Sequence, residues 1–98
     1  MAIAVLLEFD GSKEQYDQVV QKMNLGGKSD PGNLFHVAGK SPNGKWRVVD
    51  VWKSQAEFDK FSSEKIMPIT KSVGIPPPTL METWEVHNTL TPQGPVHK

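Results

Sequence analysis

The chain has 98 residues, 11 basic and 11 acidic side chains, and no cysteine. That length supports one domain with one core. The zero net charge argues against a dedicated nucleic-acid binder, and the missing cysteines exclude disulfides and cysteine-ligated zinc. The longest apolar run, Ala2 to Leu7, is far short of the roughly 20 residues of a membrane span, and Met1 leads into it without a basic n-region. The expectation is a cytoplasmic protein with neither membrane nor nucleic acid as a partner.

Ala2 to Phe9 is short and nearly continuously apolar, which suits a strand buried on both faces. Asp10-Gly11 breaks it. Ser12 with Gln15 has the spacing of a capping box, and Tyr16, Val19, Val20 and Met23 follow as the apolar stripe of a helix. Gly26-Gly27 are expected to end that helix, and Asp30-Pro31-Gly32 marks a loop. Leu34 to Gly39 reads as a second strand and Trp46 to Trp52 as a third, joined by the turn signal Ser41-Pro42-Asn43-Gly44. Ser54 with Glu57 repeats the capping pattern. Phe58, Phe61, Ile66, Ile69 and Val73 give the buried side of a second helix that Pro68 should kink or restart. Gly74 stops it, Pro76-Pro77-Pro78 is a stiff connector, and Leu80 to His87 reads as a fourth strand. Residues 89–98 have little to bury and are expected to form a loosely ordered tail behind a domain of residues 1–88.

The order β-α-β-β-α-β fits an α+β, ferredoxin-like fold: a four-stranded antiparallel sheet with two helices on one face, the first and third strands central. Two helices cover only one sheet face. In the first strand Ile3, Val5, Leu7 and Phe9 point one way and Ala4 and Leu6 the other. In the third, Val49 and Val51 oppose Trp46, Val48 and Trp52. Both faces look dry, and a contiguous apolar patch of that size is uncommon on monomers. A homodimer through the sheet face is expected.

The element order, the GNLFHVAG segment, the PNGKWRVVDVWKS hairpin and the FDKF…IMPITKSVGIPPP helix and connector resemble the dimeric α/β-barrel superfamily. Within it, the chain is similar to small proteins related to antibiotic biosynthesis monooxygenases. The resemblance spans roughly residues 2–88 and is most specific at the junction Val49-Asp50-Val51-Trp52-Lys53-Ser54. It implies a dimeric α/β barrel with a small-molecule cavity between sheet and helices in each subunit. Members include cofactor-independent oxygenases, haem-degrading enzymes and lactone isomerases, so the likeness constrains architecture more than reaction. Haem-degrading relatives ligate iron through a histidine of the second helix, and Ser54 to Val73 contains none. The cofactor-free oxygenases use asparagine and tryptophan beside a polyphenol, whereas Asn24, Asn33, Asn43 and Asn88 all fall in expected loops or at strand ends.

Asp50 is the most informative residue. A carboxylate in the middle of a central strand needs a hydrogen-bonding partner to offset desolvation. His36, inside the second strand, is the natural candidate. If the hairpin turn is centred on Asn43 the two lie opposite each other. If Asn43-Gly44 forms a two-residue turn they face opposite ways. A His36–Asp50 pair would fix the imidazole tautomer and suit acid–base catalysis. Trp52, at the end of a central strand, and Tyr16, on the inner stripe of the first helix, are expected to line a substrate pocket, with Phe58 and Phe61 shaping apolar walls. His87 and His97 lie toward the rim and tail. Three dispersed histidines lack metal-ligand spacing, and no P-loop, dinucleotide fingerprint or nucleophile elbow occurs. Neither a metal nor a cofactor is expected. Arg47, the one arginine, is expected to pair with a glutamate of a partner chain across the dimer. The reading is a small-molecule-binding protein, an enzyme doing monooxygenase-like or proton-transfer chemistry on an apolar aromatic or polyketide-like substrate. The alternative is a non-catalytic ligand-binding or structural homodimer.

Overall fold

The structure, a computed structural model, describes residues 1–95. His97 lies outside the described residues, as does the end of the expected tail. The elements run β1 (Ile3–Phe9), α1 (Lys13–Met23), β2 (Asn33–Lys40), β3 (Trp46–Trp52), α2 (Gln55–Phe61), a π-helical segment (Ser62–Ile66), α3 (Met67–Val73) and β4 (Leu80–Glu85). A two-residue ladder then pairs β5 (Leu90–Thr91) with β6 (Gly94–Pro95), within the stretch read as tail. Strand order in the main sheet is β2-β3-β1-β4, every neighbour antiparallel, which is the ferredoxin-like arrangement with β1 and β3 central.

Helices α1 and α2 begin where a side chain can satisfy free N–H groups. Ser12 Oγ accepts from the Gln15 amide at 3.1 Å, and Gln15 Oε1 accepts from the Ser12 amide at 3.0 Å. Ser54 Oγ accepts from the Glu57 amide at 3.2 Å. The first helix stops earlier than its glycines suggest. Asn24, not Gly26, takes the left-handed cap at φ 55°, because an asparagine side chain tolerates that conformation best among residues with a Cβ. Gly26 and Gly27 continue with positive φ into the loop. Pro68 stands in the first turn of α3, just after the π-helical segment, as the expected kink or restart would have it. Its ring would collide with the Glu64 carbonyl in a regular α-helix, and the wider π-turn of Ser62–Ile66 falls at that place, so the chain stays helical from α2 into α3.

Residues directly opposite in the ladder share a face. Ile3, Val5 and Leu7 of β1 therefore line up with Val48, Asp50 and Trp52 of β3 under the helices. Ile3, Val5, Leu7, Val48, Trp52 and Phe58 form the core. Burying each of these side chains contributes about 1.5–3 kcal/mol. The opposite face carries Ala4, Leu6, Val49 and Val51 at its centre, with Phe35, Val37, Leu80 and Trp84 exposed around them. No helix covers it.

The β2–β3 turn decides what stands across the sheet. The Gly44 amide donates to the Ser41 carbonyl at 2.9 Å and the Ser41 amide to the Lys45 carbonyl at 2.8 Å. This is a type I turn closed by a left-handed Gly44, φ 88°. Pro42 presets the first central position. Asn43 Oδ1 accepts from the Lys45 amide at 2.9 Å, which braces the loop from inside. The three-residue loop sets the pairs Lys40–Trp46, Val37–Val49 and His36–Asp50. Of the two registers open to the sequence, the hairpin adopts the one centred on Asn43.

A hydrogen-bonded chain at the mouth of a cavity

Asp50 is almost completely buried, at 4% exposure. Its Oδ1 lies 2.5 Å from His36 Nδ1. The other imidazole nitrogen, Nε2, lies 2.5 Å from the Tyr16 hydroxyl. The Trp52 indole N–H makes a longer contact of 3.4 Å to Asp50 Oδ2. An ionised carboxylate only accepts hydrogen bonds. With neutral imidazole, Nδ1–H therefore donates to Asp50, Nε2 is the acceptor, and the Tyr16 O–H donates to it. The chain Tyr16–His36–Asp50 has a direction, set from its buried end. The Tyr16 and His36 rings are parallel, 6.0 Å apart, and the other side of Tyr16 rests on Trp46 at 5.4 Å. Burial, then the Asp50 charge and then that of Asp17 push the Tyr16 phenol above its ordinary range, so it stays protonated at neutral pH.

These groups border a cavity of about 470 Å³ between α1 and the sheet. Tyr16, His36, Asp50 and Trp52 give it one polar end. Val19, Val20 and Met23 of α1, Leu25, Leu34 and Phe61 give apolar walls, and Lys28, Ser29 and Asp30 lie on the connecting loop. A mostly apolar cavity with a few convergent polar groups is the usual form of a small-molecule site. Five of the six site residues read from the sequence meet here: His36, Asp50, Trp52, Tyr16 and Phe61. Phe58 does not line the cavity. It is buried at 3% exposure behind Trp52, ring centroids 5.7 Å apart, and supports the tryptophan from the core. Phe61 takes the wall position, 5.1 Å from Trp52.

Asn33 is the site residue that sequence reasoning left at a strand end. The β2–β3 register slips between Asn33 and Phe35, so Asn33 pairs with Trp52 while Phe35 pairs with Val51. This bulge at Leu34 turns Asn33 onto the helix side, although simple alternation would put it on the same face as Phe35. Asn33 is buried and lines the cavity. In the amide orientation that satisfies both groups, its NH₂ donates to the Phe35 carbonyl at 3.3 Å. Its Oδ1 then accepts from the Trp52 indole at 3.3 Å. An isolated asparagine ahead of a strand carries no signal for a bulge, so only the sheet reveals it.

Arg47 corrects another expectation. Its guanidinium grips Glu8 of its own chain, directly opposite on β1, with Nε 2.7 Å from Oε2 and Nη2 on the same oxygen. No partner chain is needed for the pair, and it lies on the uncovered sheet face. The described residues hold no cluster of three or more His, Cys, Asp or Glu side chains suited to a metal ion. No helix among them is long and apolar enough to cross a membrane.

The topology is shared with solved structures of other small proteins, several of them named as antibiotic biosynthesis monooxygenases. A Mycobacterium tuberculosis protein, Rv0793, superposes with a TM-score of 0.67 at 12% identity, over 93% of this chain and 100% of its own. A Chloroflexus aurantiacus protein assigned by name to the antibiotic biosynthesis monooxygenases gives 0.59 at 18% identity, covering 91% of this chain and 96% of its own. SnoaB, a cofactor-independent oxygenase from Streptomyces nogalater, gives 0.59 at 11% identity, over 91% and 94%. No protein-family model matches the sequence, and no curated protein matches it significantly. At these identities the likeness establishes the ferredoxin-like fold of that group and leaves the reaction to be argued from the site.

Proposed function

We propose that the protein binds a flat, apolar, phenolic or enolisable aromatic molecule in this cavity and removes a proton from it, as a cofactor-independent enzyme of the monooxygenase-like kind. The observation that carries this is the directed chain from Tyr16 through His36 to Asp50 on the lining of a cavity that also has apolar walls. His36 is the base, Asp50 holds its tautomer and stabilises the imidazolium that forms, and Trp52, Phe61 and Tyr16 border the bound ring. Asn33 adds an amide beside Trp52. An electron-rich carbanion or phenolate is the species that can react with dioxygen without a bound cofactor, and a fold neighbour is named as such an oxygenase. For an aromatic methylene the reaction balances as CH₂ plus O₂ giving C=O plus H₂O.

We read the working unit as a cytoplasmic homodimer packed through the uncovered sheet face. Support comes from the exposed Phe35, Val37 and Trp84 around an apolar centre, and from an Arg47–Glu8 pair that already satisfies the two central charges on that face. A second copy can pack apolar surface against this centre, with Glu82, opposite Leu6, on its β4 side.

The test is oxygen uptake with 1,8-dihydroxyanthrone as probe, followed together with quinone absorbance. The wild type is expected to exceed the spontaneous rate by about a hundredfold, and His36→Gln to fall back toward it. A wild-type rate equal to the spontaneous one, with the probe bound, supports a carrier instead of an enzyme.

A further inference from the structure

The lone pair of His36 Nε2 is engaged by a hydrogen bond within the chain. Tyr16 Oη sits 2.5 Å from it, and Tyr16 is itself part of the cavity lining. The other nitrogen is committed to Asp50 at 2.5 Å. A ligand proton therefore has no direct path to the imidazole unless the tyrosine moves. The tyrosine is held: Trp46 packs against its ring at 5.4 Å, and α1 is anchored one turn earlier by the Ser12–Gln15 capping box.

We infer that Tyr16 is a catalytic residue: its hydroxyl oxygen takes the acidic proton of the ligand while its own O–H proton passes to His36 Nε2. The inference rests on the reading of the cavity given above. The bonds balance without oxidation or reduction. The ligand O–H or C–H bond breaks and a new Tyr16 O–H forms. The original Tyr16 O–H breaks and Nε2–H forms, leaving the ligand anion, a neutral tyrosine and an imidazolium paired with the Asp50 carboxylate. Nε2–H then donates back to Tyr16 Oη, so the hydrogen bond survives with its direction reversed. The groups around the tyrosine suit a relay better than a resident tyrosinate. Burial and the charges of Asp50 and Asp17 disfavour the anion, so Tyr16 passes a proton on without keeping the negative charge. The ligand class follows: a group whose acidic hydrogen reaches a hydroxyl at the polar end while its ring lies along Phe61 and Trp52.

The experiment uses 4-nitrophenol, whose phenolate is coloured, at mildly acidic pH with wild type, Tyr16→Phe and His36→Gln. Calorimetry reads binding and absorbance reads the ionisation of the bound probe. Wild type is expected to hold the probe largely as phenolate. Tyr16→Phe, which keeps the packed ring, is expected to bind it with similar affinity while the phenolate-to-phenol ratio falls about tenfold, one unit of apparent pKa. His36→Gln is expected to bind it as phenol. An unchanged ratio in Tyr16→Phe overturns the relay and leaves His36 as the direct base. Binding without ionisation in the wild type overturns the relay while the ligand site stands. No binding in the wild type overturns the phenol-site reading and the relay together.

Discussion

Two carboxylates stand on the two central strands of one sheet, both nearly buried, and they do different things. Asp50 on β3 is 4% exposed and faces the helices; Glu8 on β1 is 6% exposed and faces away from them. Asp50 meets a histidine that can be neutral or charged, and Glu8 meets an arginine that is always charged. A guanidinium–carboxylate pair has no proton to give at working pH, so Glu8 holds two strands together and nothing more. An imidazole–carboxylate pair keeps a movable proton, and in the proposed relay the tyrosine beyond it connects that proton to the cavity. The partner, more than the burial, separates the structural carboxylate from the one proposed to serve in chemistry.

The largest way to break the contrast is to remove the wall that the helix side depends on. Trp52 is 1% exposed, packs on Phe58 and Phe61, and borders both Asp50 and Asn33. Trp52→Ala is expected to cost about 3–5 kcal/mol in urea unfolding. A loss below about 1 kcal/mol on the same scale contradicts a packed core around this residue.

Next in size is the charge at the buried end of the chain. Asp50→Asn keeps the shape but can no longer enforce donation from His36 Nδ1. Turnover of the anthrone probe is expected to fall about a hundredfold, while stability drops by about 1–3 kcal/mol. Glu8→Gln, its counterpart on the other face, is expected to leave turnover unchanged. Equal losses from both variants erase the distinction between the carboxylates.

The outer face is tested by Val37→Lys. Val37 is half exposed and sits opposite Val49. Sedimentation is expected to show monomers where the wild type sediments as a dimer, with melting of the subunit little changed. A wild-type monomer at micromolar concentration refutes the dimer at once.

How far the chain can be read without its structure follows from which contacts are local. The Ser12–Gln15 box, the Ser54 cap and the burial of Asp50 depend on residues a few positions apart or on one apolar strand, and all three are legible. The His36–Asp50 pairing depends on whether Gly44 closes a three-residue or a two-residue loop. Ser-Pro-Asn-Gly allows either, and only the hydrogen bonds of the turn choose. The Asn33 bulge is less accessible still, because its cause is a slip between strands that leaves no pattern in β2 alone. The exit of α1 at Asn24 shows the same limit on a smaller scale: two glycines follow, and an asparagine takes the cap first.

Tyr16 sharpens the inner side of the comparison with a smaller signal. It is the one tyrosine of the chain, so tyrosinate absorbance reads it alone. Burial first, then Asp50, raises its pKa. Tyrosinate is therefore expected above the ordinary range near about 10, with Asp50→Asn moving the transition down toward it. The folded form holds the phenol proton more tightly. This contribution to stability is complete below the unfolded value and is lost as pH rises through the folded one.

The outer carboxylate gives the smallest effect and the opposite sign. Hydrogen bonds from Arg47, then Asn43, hold the Glu8 carboxyl below its usual range. The unfolded chain then binds the proton more readily than the folded one, so the contribution is full above the unfolded value, near about 4.3. It is lost as pH falls through the depressed folded value. Melting temperatures of wild type and Glu8→Gln, followed from neutral into strong acid, are expected to differ at neutral pH and to converge once the wild-type carboxyl is protonated. Convergence must come at lower pH than an ordinary glutamate would give, since the guanidinium has to release the carboxylate first. A gap between the two curves that stays constant into strong acid means the pair is held by packing alone. The outer carboxylate would then differ from Asp50 in its surroundings and not in its charge.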